Sequence, residues 1–190
     1  MLKRLTGVAL GALLAVNAFA FFGETESNDT RTTPDVHVFD AGNGYVAPWS
    51  DVGVLSLTNN DSDFFKIWLN AGDWLTAITF PIQTNYFEPD TVMALFDGTS
   101  TTAIVRNDDA GFGFGSAIRW QATASDYYYI AITGYHGSGQ DDLSYYEGAS
   151  HSETGSYILT LSVVPVPEPA SMIALGTGLV GLMALRRRRK

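Results

Sequence analysis

The sequence predicts an all-β protein, an antiparallel jelly-roll-like β-sandwich carried between an N-terminal signal helix and a C-terminal transmembrane helix. Three observations predict it. Short apolar or alternating runs, separated by turn residues, recur from residue 36 to residue 163. No segment between the two ends shows a 3.6-residue period. Each end couples an apolar stretch to cations, whereas the centre is acidic: of 190 residues with net charge −9, residues 21–164 hold four cations and nineteen acids.

Taken in order, residues 1–20 read as a secretory signal. Lys3 and Arg4 form the positive start, Val8 to Val16 the apolar run, and Ala18-Phe19-Ala20 the small-x-small cleavage pattern. Cleavage after Ala20 would start the mature chain at Phe21. Strands are expected near Val36–Phe39, Val52–Leu57, Phe64–Leu69, Trp74–Phe80, Thr91–Phe96, Ala103–Arg106, Ala117–Ala122, Tyr127–Thr133 and Tyr157–Val163. In the last, Tyr157, Leu159, Leu161 and Val163 share one face; in the one before, Tyr128, Ile130 and Ile132 do. Asn70-Ala71-Gly72-Asp73 and Asp97-Gly98 read as tight turns. Eight or nine such strands in one domain, residues 21–164, suggest a sandwich.

Residues 134–155 make a 22-residue polar loop before the final strand. Loops of that length are usually functional or disordered. Tyr135, Tyr145 and Tyr146 either stack on sugar rings or pin the loop to the sandwich. Gly111-Phe112-Gly113-Phe114-Gly115 alternates glycine, but no helix follows it, so it reads as a loop or bulge and not as a phosphate cradle.

Beyond the last strand, Val166-Pro167-Glu168-Pro169 precedes an apolar stretch, Ala170 to Leu185, and five terminal cations, Arg186 to Lys190. The prolines end any strand. As a helix the stretch spans about 24 Å, short for a hydrocarbon core of about 30 Å, so thinning and snorkelling arginines would assist it. Cations at its end place that end in the cytoplasm and the acidic domain outside, in agreement with the signal.

The central cations, Arg31, Lys66, Arg106 and Arg119, are scattered, which argues against nucleic-acid binding. With no cysteine, disulfides and thiolate chemistry are excluded. The three histidines, His37, His136 and His151, lie in no nucleophile or zinc motif, and two of them fall in the polar loop, where solvation is the ordinary state. The expectation is a protein without catalytic residues.

The chemistry that remains is acidic. Glu24, Glu26, Asn28 and Asp29 place four oxygen ligands in six residues, with Glu24, Glu26 and Asn28 on one side of an extended segment. A hard cation such as calcium takes six to eight oxygens, so one segment cannot complete a site. Asp61 and Asp63, ahead of a strand, are candidates for the rest. A second acidic group is Asp90, Asp97, Asp108 and Asp109. Ordinary turn chemistry would also place such residues at strand ends.

The C-terminal order of parts, Val-Pro-Glu-Pro-Ala-Ser, a short glycine-containing apolar span and an arginine cluster, resembles the PEP-CTERM sorting signal of Gram-negative bacteria. The resemblance implies that Pro167, Glu168 and Pro169 are read by an exosortase in the inner membrane, which removes the tail and releases the protein toward the cell surface. The central domain is similar to bacterial pre-peptidase C-terminal domains. It shares Glu-x-Glu-x-Asn-Asp at 24–29, Asp-Ser-Asp-Phe-Phe at 61–65, Asn-Ala-Gly-Asp at 70–73, Asn-Asp-Asp at 107–109, and the closing Gly-Ser-Tyr-Ile-Leu-Thr-Leu at 155–161. That resemblance implies a β-sandwich, with calcium held by Glu24, Glu26, Asn28 and Asp29 and by Asp61 and Asp63. The sequence-level expectation is therefore an exported surface or matrix protein, processed by signal peptidase and an exosortase, non-catalytic, and binding extracellular polysaccharide or another polymer. The alternatives are a purely structural matrix component and a polymer hydrolase.

Overall fold

A computed structural model describes residues 18–36, 47–83 and 88–166, together with Thr177, Gly178 and Arg186. Two five-stranded sheets face one another. The first runs β1 (Ala18–Phe22), β3 (Trp49–Leu57), β10 (Gly155–Val164), β5 (Trp74–Pro81) and β8 (Ala117–Gln121). The second runs β2 (Asp35–Val36), β4 (Ser62–Leu69), β9 (Asp126–Gly134), β6 (Thr91–Phe96) and β7 (Val105–Asn107).

From β3 onward the chain passes between the sheets at nearly every connection, and all those pairings are antiparallel. The orders β3-β10-β5-β8 and β4-β9-β6-β7 are those of a rolled jelly-roll strip. Two edge strands depart from the antiparallel expectation: β1 lies parallel to β3, and β2 parallel to β4. Each of these edge strands enters at the same end of the sandwich as its partner, so the chain must travel back before the partner begins.

Binary pattern explains the packing. In β10, Tyr157, Leu159, Leu161 and Val163 are buried, while the residues between them are half-buried under solvent. They meet Phe65, Ile67 and Leu69 of β4 and Tyr128, Ile130 and Ile132 of β9 between the sheets. The Phe22 ring lies over Gly53, where a Cβ would sit 2.9 Å from its atoms, and meets Phe65 edge-on at 5.7 Å.

β6 is buried at every position, as its unbroken run Thr-Val-Met-Ala-Leu-Phe requires. Its outer residues, Val92, Ala94 and Phe96, join Phe64 and Ala131 beneath Leu143, Tyr145 and Tyr146. The polar stretch at 134–155 therefore contains a lid on the outer face of the second sheet. It includes a short helix, α1 (Leu143–Glu147), whose N-cap Asp142 accepts from Ser144 N.

Tyr145 and Tyr146 pin this segment and are not surface stackers: Tyr146 is fully buried, crosses Phe96 at 5.5 Å, and donates to Gln140 O at 3.1 Å. The expectation of solvated loop histidines is also corrected. His151 is buried, with Nε2 2.8 Å from Asp61 O, and His136 stacks on Tyr145 at 3.6 Å. Apolar surface left on the second sheet needs a cover, and these aromatics supply it.

The signal helix needs a further correction at its end. Residues 18–22 are extended, pairing Ala18 with Trp49 through to Phe22 with Gly53, so Ala18 and Ala20 lie in a strand. Residues 1–17 lie outside the described residues. So do His37 and Pro167, Glu168 and Pro169, and all of Ala170 to Leu185 except Thr177 and Gly178. No helix among the described residues is long and apolar enough to cross a membrane.

Candidate metal centre

The segment between β1 and β2 crosses one end of the sandwich and meets the turn that leads into β4. That turn is firmly held. Thr58 N and Oγ1 donate to Asp61 Oδ2 at 2.7 and 3.1 Å, Asn60 adopts φ 60°, and Thr133 Oγ1 donates to Asp61 O at 2.7 Å. Asp63 follows on the inward face of β4, in phase with Phe65, Ile67 and Leu69, so its carboxylate enters the space between the sheets.

Three of the six expected ligands converge there. Oxygens of Glu24, Glu26 and Asp63 lie within 4.8 Å of one another. Glu26 is shared with a second triad, Glu26, Asp29 and Asp61, of the same spread. Asn28 is 1% exposed beside them, and its main-chain O accepts from Phe64 N at 3.1 Å, which ties the segment to β4. All six residues are thus brought to one end of the sandwich.

The hydrogen bonds aim these side chains without saturating them. Glu24 Oε1 accepts from Ser56 N and Oγ, both at 2.9 Å, while Oε2 accepts from no donor. Asn28 Nδ2 donates to Asp35 Oδ2 at 3.2 Å, leaving Oδ1 buried without a partner. Tyr157 donates its hydroxyl to Asp63 Oδ2, leaving Oδ1 likewise. Three buried oxygens without donors in one acidic cluster are a condition that a hard cation relieves, and that a proton held on Asp63 relieves in part.

Burial is the first cause of each shifted carboxyl in this cluster. It raises Glu24, Glu26 and Asp29 above their usual range, and it pushes Asp63 well above, with Glu24 adding repulsion. Burial and then Asp63 push the Tyr157 hydroxyl up as well. A bound divalent ion would reverse this logic by favouring the charged carboxylates.

Sequence reasoning named the six clustered residues and missed what orients them: Ser56, Asp35 and Tyr157. Ser56 and Tyr157 carry no local signal, because each meets its partner from a distant strand; Asp35 lies seven residues from Asn28 but outside the acidic run.

The second acidic group divides. Asp90, Asp108 and Asp109 do converge, with oxygens within 4.8 Å. Burial, then Asp108, Asp109 and Glu153, push Asp90 up to about 6. Asp97 does not join them. Its Oδ1 caps its own turn, accepting from Thr99 N and Ser100 N at 2.7 and 2.6 Å, and those bonds hold its carboxyl below the usual range. It lines a separate cleft of about 400 Å³ with Thr99, Trp120, Thr123, Asp126 and Tyr128.

Residues 165–189 match the PEP-CTERM protein-sorting motif. The motif implies processing by an exosortase and indicates export. No curated protein matches the chain. Among solved structures, the chain is similar to PliG of Aeromonas hydrophila, a periplasmic lysozyme inhibitor of g-type lysozyme, at 16% identity over 77% of this chain and 99% of that one, with TM-score 0.45. It is similar to the pre-peptidase C-terminal domain of collagenase from Bacillus anthracis at 11% identity over 78% of this chain and 96% of that one, with TM-score 0.38. It is also similar to Salmonella Typhimurium PliG at 12% identity over 68% and 98%, with TM-score 0.37.

Proposed function

We propose that this is an exported, non-catalytic β-sandwich that works at the cell surface or in the extracellular matrix of a Gram-negative bacterium. Signal peptidase removes residues 1–20, which leaves only Phe21 and Phe22 of β1 on the mature domain, and an exosortase acts at Pro167-Glu168-Pro169. The span at 170–185 anchors the chain in the inner membrane only until that step. Residues 21–164 are the working domain. The observation that carries this reading is the sorting motif at residues 165–189 behind a domain rich in acids.

Calcium stabilises the domain through Glu24, Glu26, Asn28, Asp29, Asp61 and Asp63. The support is the convergence of their oxygens and the three buried acceptors that no donor meets. Bound calcium would offset part of the cluster's charge and join the β1–β2 segment to both sheets. The ligand of the domain is extracellular polymer, polysaccharide first. The cleft at Trp120 offers it an aromatic face beside the carboxylates of Asp97 and Asp126 and the hydroxyls of Thr99 and Thr123.

Mass spectrometry of protein recovered from the medium and cell surface tests the export reading: the expected chain begins at Phe21 and lacks Arg186 to Lys190. External protein that retains its arginine-rich end would overturn it. A pull-down with the cell's own exopolysaccharide tests the ligand, and no retention would leave a structural matrix role.

A further inference from the structure

Among the described residues, three large aromatic side chains stand exposed: Phe112 at 78%, Phe114 at 50% and Tyr135 at 44%. All three surround one junction. Thr91 N donates to Phe114 O at 3.0 Å, and Tyr135 N donates to Asp90 O at 2.9 Å. The patch lies at the end of β6 and β9 opposite the Trp120 cleft, and its residues are distinct from the candidate metal centre.

The loop that displays the phenylalanines is fixed. Gly111 N donates to Gly115 O at 2.7 Å, and Gly115 N donates to Phe112 O at 3.1 Å. Buried hydroxyls brace its base: Thr79 and Thr91 share a 2.7 Å hydrogen bond, and Ser116 Oγ donates to Thr91 O at 2.5 Å. A Cβ on Gly115 would lie 2.3 Å from Thr79 O, so only glycine fits. Rings held out on a rigid support have already lost the freedom that binding would otherwise remove. Such exposure marks an interaction surface.

Among the described residues the rim is rich in acids. Asp90, Asp108 and Asp109 cluster there, the Glu88 carboxylate lies 3.5–3.6 Å from where a Cβ of Gly113 would be, and Glu153 Oε2 accepts from Asp90 N at 3.0 Å. Of the four cations of residues 21–164, Arg106 alone comes near the rim: its Nη1 donates to Gln140 Oε1 at 2.6 Å, and Gln140 Nε2 donates to Asp108 Oδ2 at 2.7 Å. Arg31 donates to Asp97 O and Ser100 O, Lys66 lies over Tyr127, Arg106 pairs with Asp141 at 2.7 Å, and Arg119 lies over Trp74. A second copy, an anionic bilayer or a nucleic acid would meet like charge here. A partner must bring positive charge and apolar surface together.

We propose that the Gly111–Gly115 tip docks a basic polypeptide segment in which apolar side chains alternate with Lys or Arg. The apolar side chains cover Phe112, Phe114 and Tyr135, and the cations reach Glu88, Asp109 and the ring faces. This goes beyond the calcium and polymer readings and depends on neither.

The probe is a fluorescent dodecapeptide alternating Lys and Leu. It is titrated by anisotropy against protein recovered from the producing cells, in EDTA at low salt. The protein is expected to bind it, and the Phe112→Ser/Phe114→Ser double variant to bind about tenfold or more weakly at an unchanged melting temperature. Asp109→Asn, a second variant on the exposed rim, is expected to weaken binding several-fold. Glu147→Gln removes one charge beside Arg31, at the other end of β6, and is expected to leave binding within about twofold. A peptide with Ser for Leu should bind about tenfold less tightly than the Leu peptide. Undiminished binding by the double variant, equal binding of a Glu–Leu peptide, or displacement by a glucosamine oligomer at equal concentration would each overturn the proposal.

Discussion

Calcium should raise the melting temperature of this protein, and one substitution should remove the rise while leaving the metal-free protein nearly unchanged. The perturbation is Asp63→Asn. Asp63 is fully buried, its Oδ2 accepts from the Tyr157 hydroxyl, and its Oδ1 accepts from nothing. Without metal, burial favours the neutral carboxyl, so asparagine replaces a group of similar charge and shape and keeps an acceptor for Tyr157. The stability change in EDTA should stay within about 1 kcal/mol. With metal, the substitution deletes one anionic ligand of the Glu24, Glu26 and Asp63 triad. At an affinity of about 10⁻⁴ to 10⁻³ M, usual for extracellular calcium modules, 10 mM calcium adds about 1.4–2.7 kcal/mol. That corresponds to a rise of roughly 4–11 °C for a domain of this size. The increment should grow from pH 5.5 to pH 8, because protons held by the raised carboxyls compete with the ion. Differential scanning calorimetry with and without 10 mM calcium measures all of this. No rise in the unaltered protein at pH 8, or a full rise in the Asp63→Asn variant, would refute the reasoning.

Other outcomes follow from the same structure. Glu26 serves both triads, so Glu26→Gln should blunt the calcium rise more than Asp29→Asn does in parallel melts. In EDTA the protein should lose stability as pH rises from about 4 through 6 and beyond. Asp51 and Asp90, both raised to about 6, and Asp63, raised well above its usual value, bind protons more tightly when folded, so their contribution is complete at low pH and lost as they ionise; urea unfolding across that range reads the slope. Tyr146→Ala, opening the lid over the second sheet, should cost about 3–5 kcal/mol, and Tyr146→Phe about 1 kcal/mol, by the same unfolding measurement. Gly115→Ala should lower stability by about 1–3 kcal/mol, because its Cβ would meet Thr79 O at 2.3 Å.

Much of the fold was legible because period and burial agree. All nine expected strands lie on or beside observed ones, except that residues 37–39 of the first fall outside the described residues. Alternation in Tyr157–Val163 points to the inter-sheet core as observed. Legibility failed where a segment's neighbour decides its conformation. Ala18–Phe22 reads as the end of a signal helix, yet it pairs with β3, and Gly53 gives Phe22 its place. The polar stretch 134–155 reads as a free loop because its three core residues, Leu143, Tyr145 and Tyr146, are diluted among Ser, Gly and Asp. Only the apolar outer face of β6, visible as an unbroken run, signals that something must cover it.

The acidic cluster was legible for a different reason. Glu24, Glu26, Asn28 and Asp29 lie close in sequence, so their density alone marks them. Asp63 was found by its position before a strand, but what it does there depends on β10. Tyr157 crosses the sandwich from the opposite sheet to hold one carboxylate oxygen, and Ser56 of β3 holds Glu24 in the same way. The cluster therefore joins the β1–β2 segment, β3, β4 and β10, drawn from both sheets. Like charge concentrated at that junction favours separation of those elements until a cation offsets it. Loss of the ion should consequently loosen the β1–β2 segment first, where Asn28 O and Phe64 N make one of its ties to β4, and leave the Tyr146 lid in place. Hydrogen exchange with and without calcium should show protection lost at Phe64 before Ala131; uniform loss across both would mean the cluster is no local clasp.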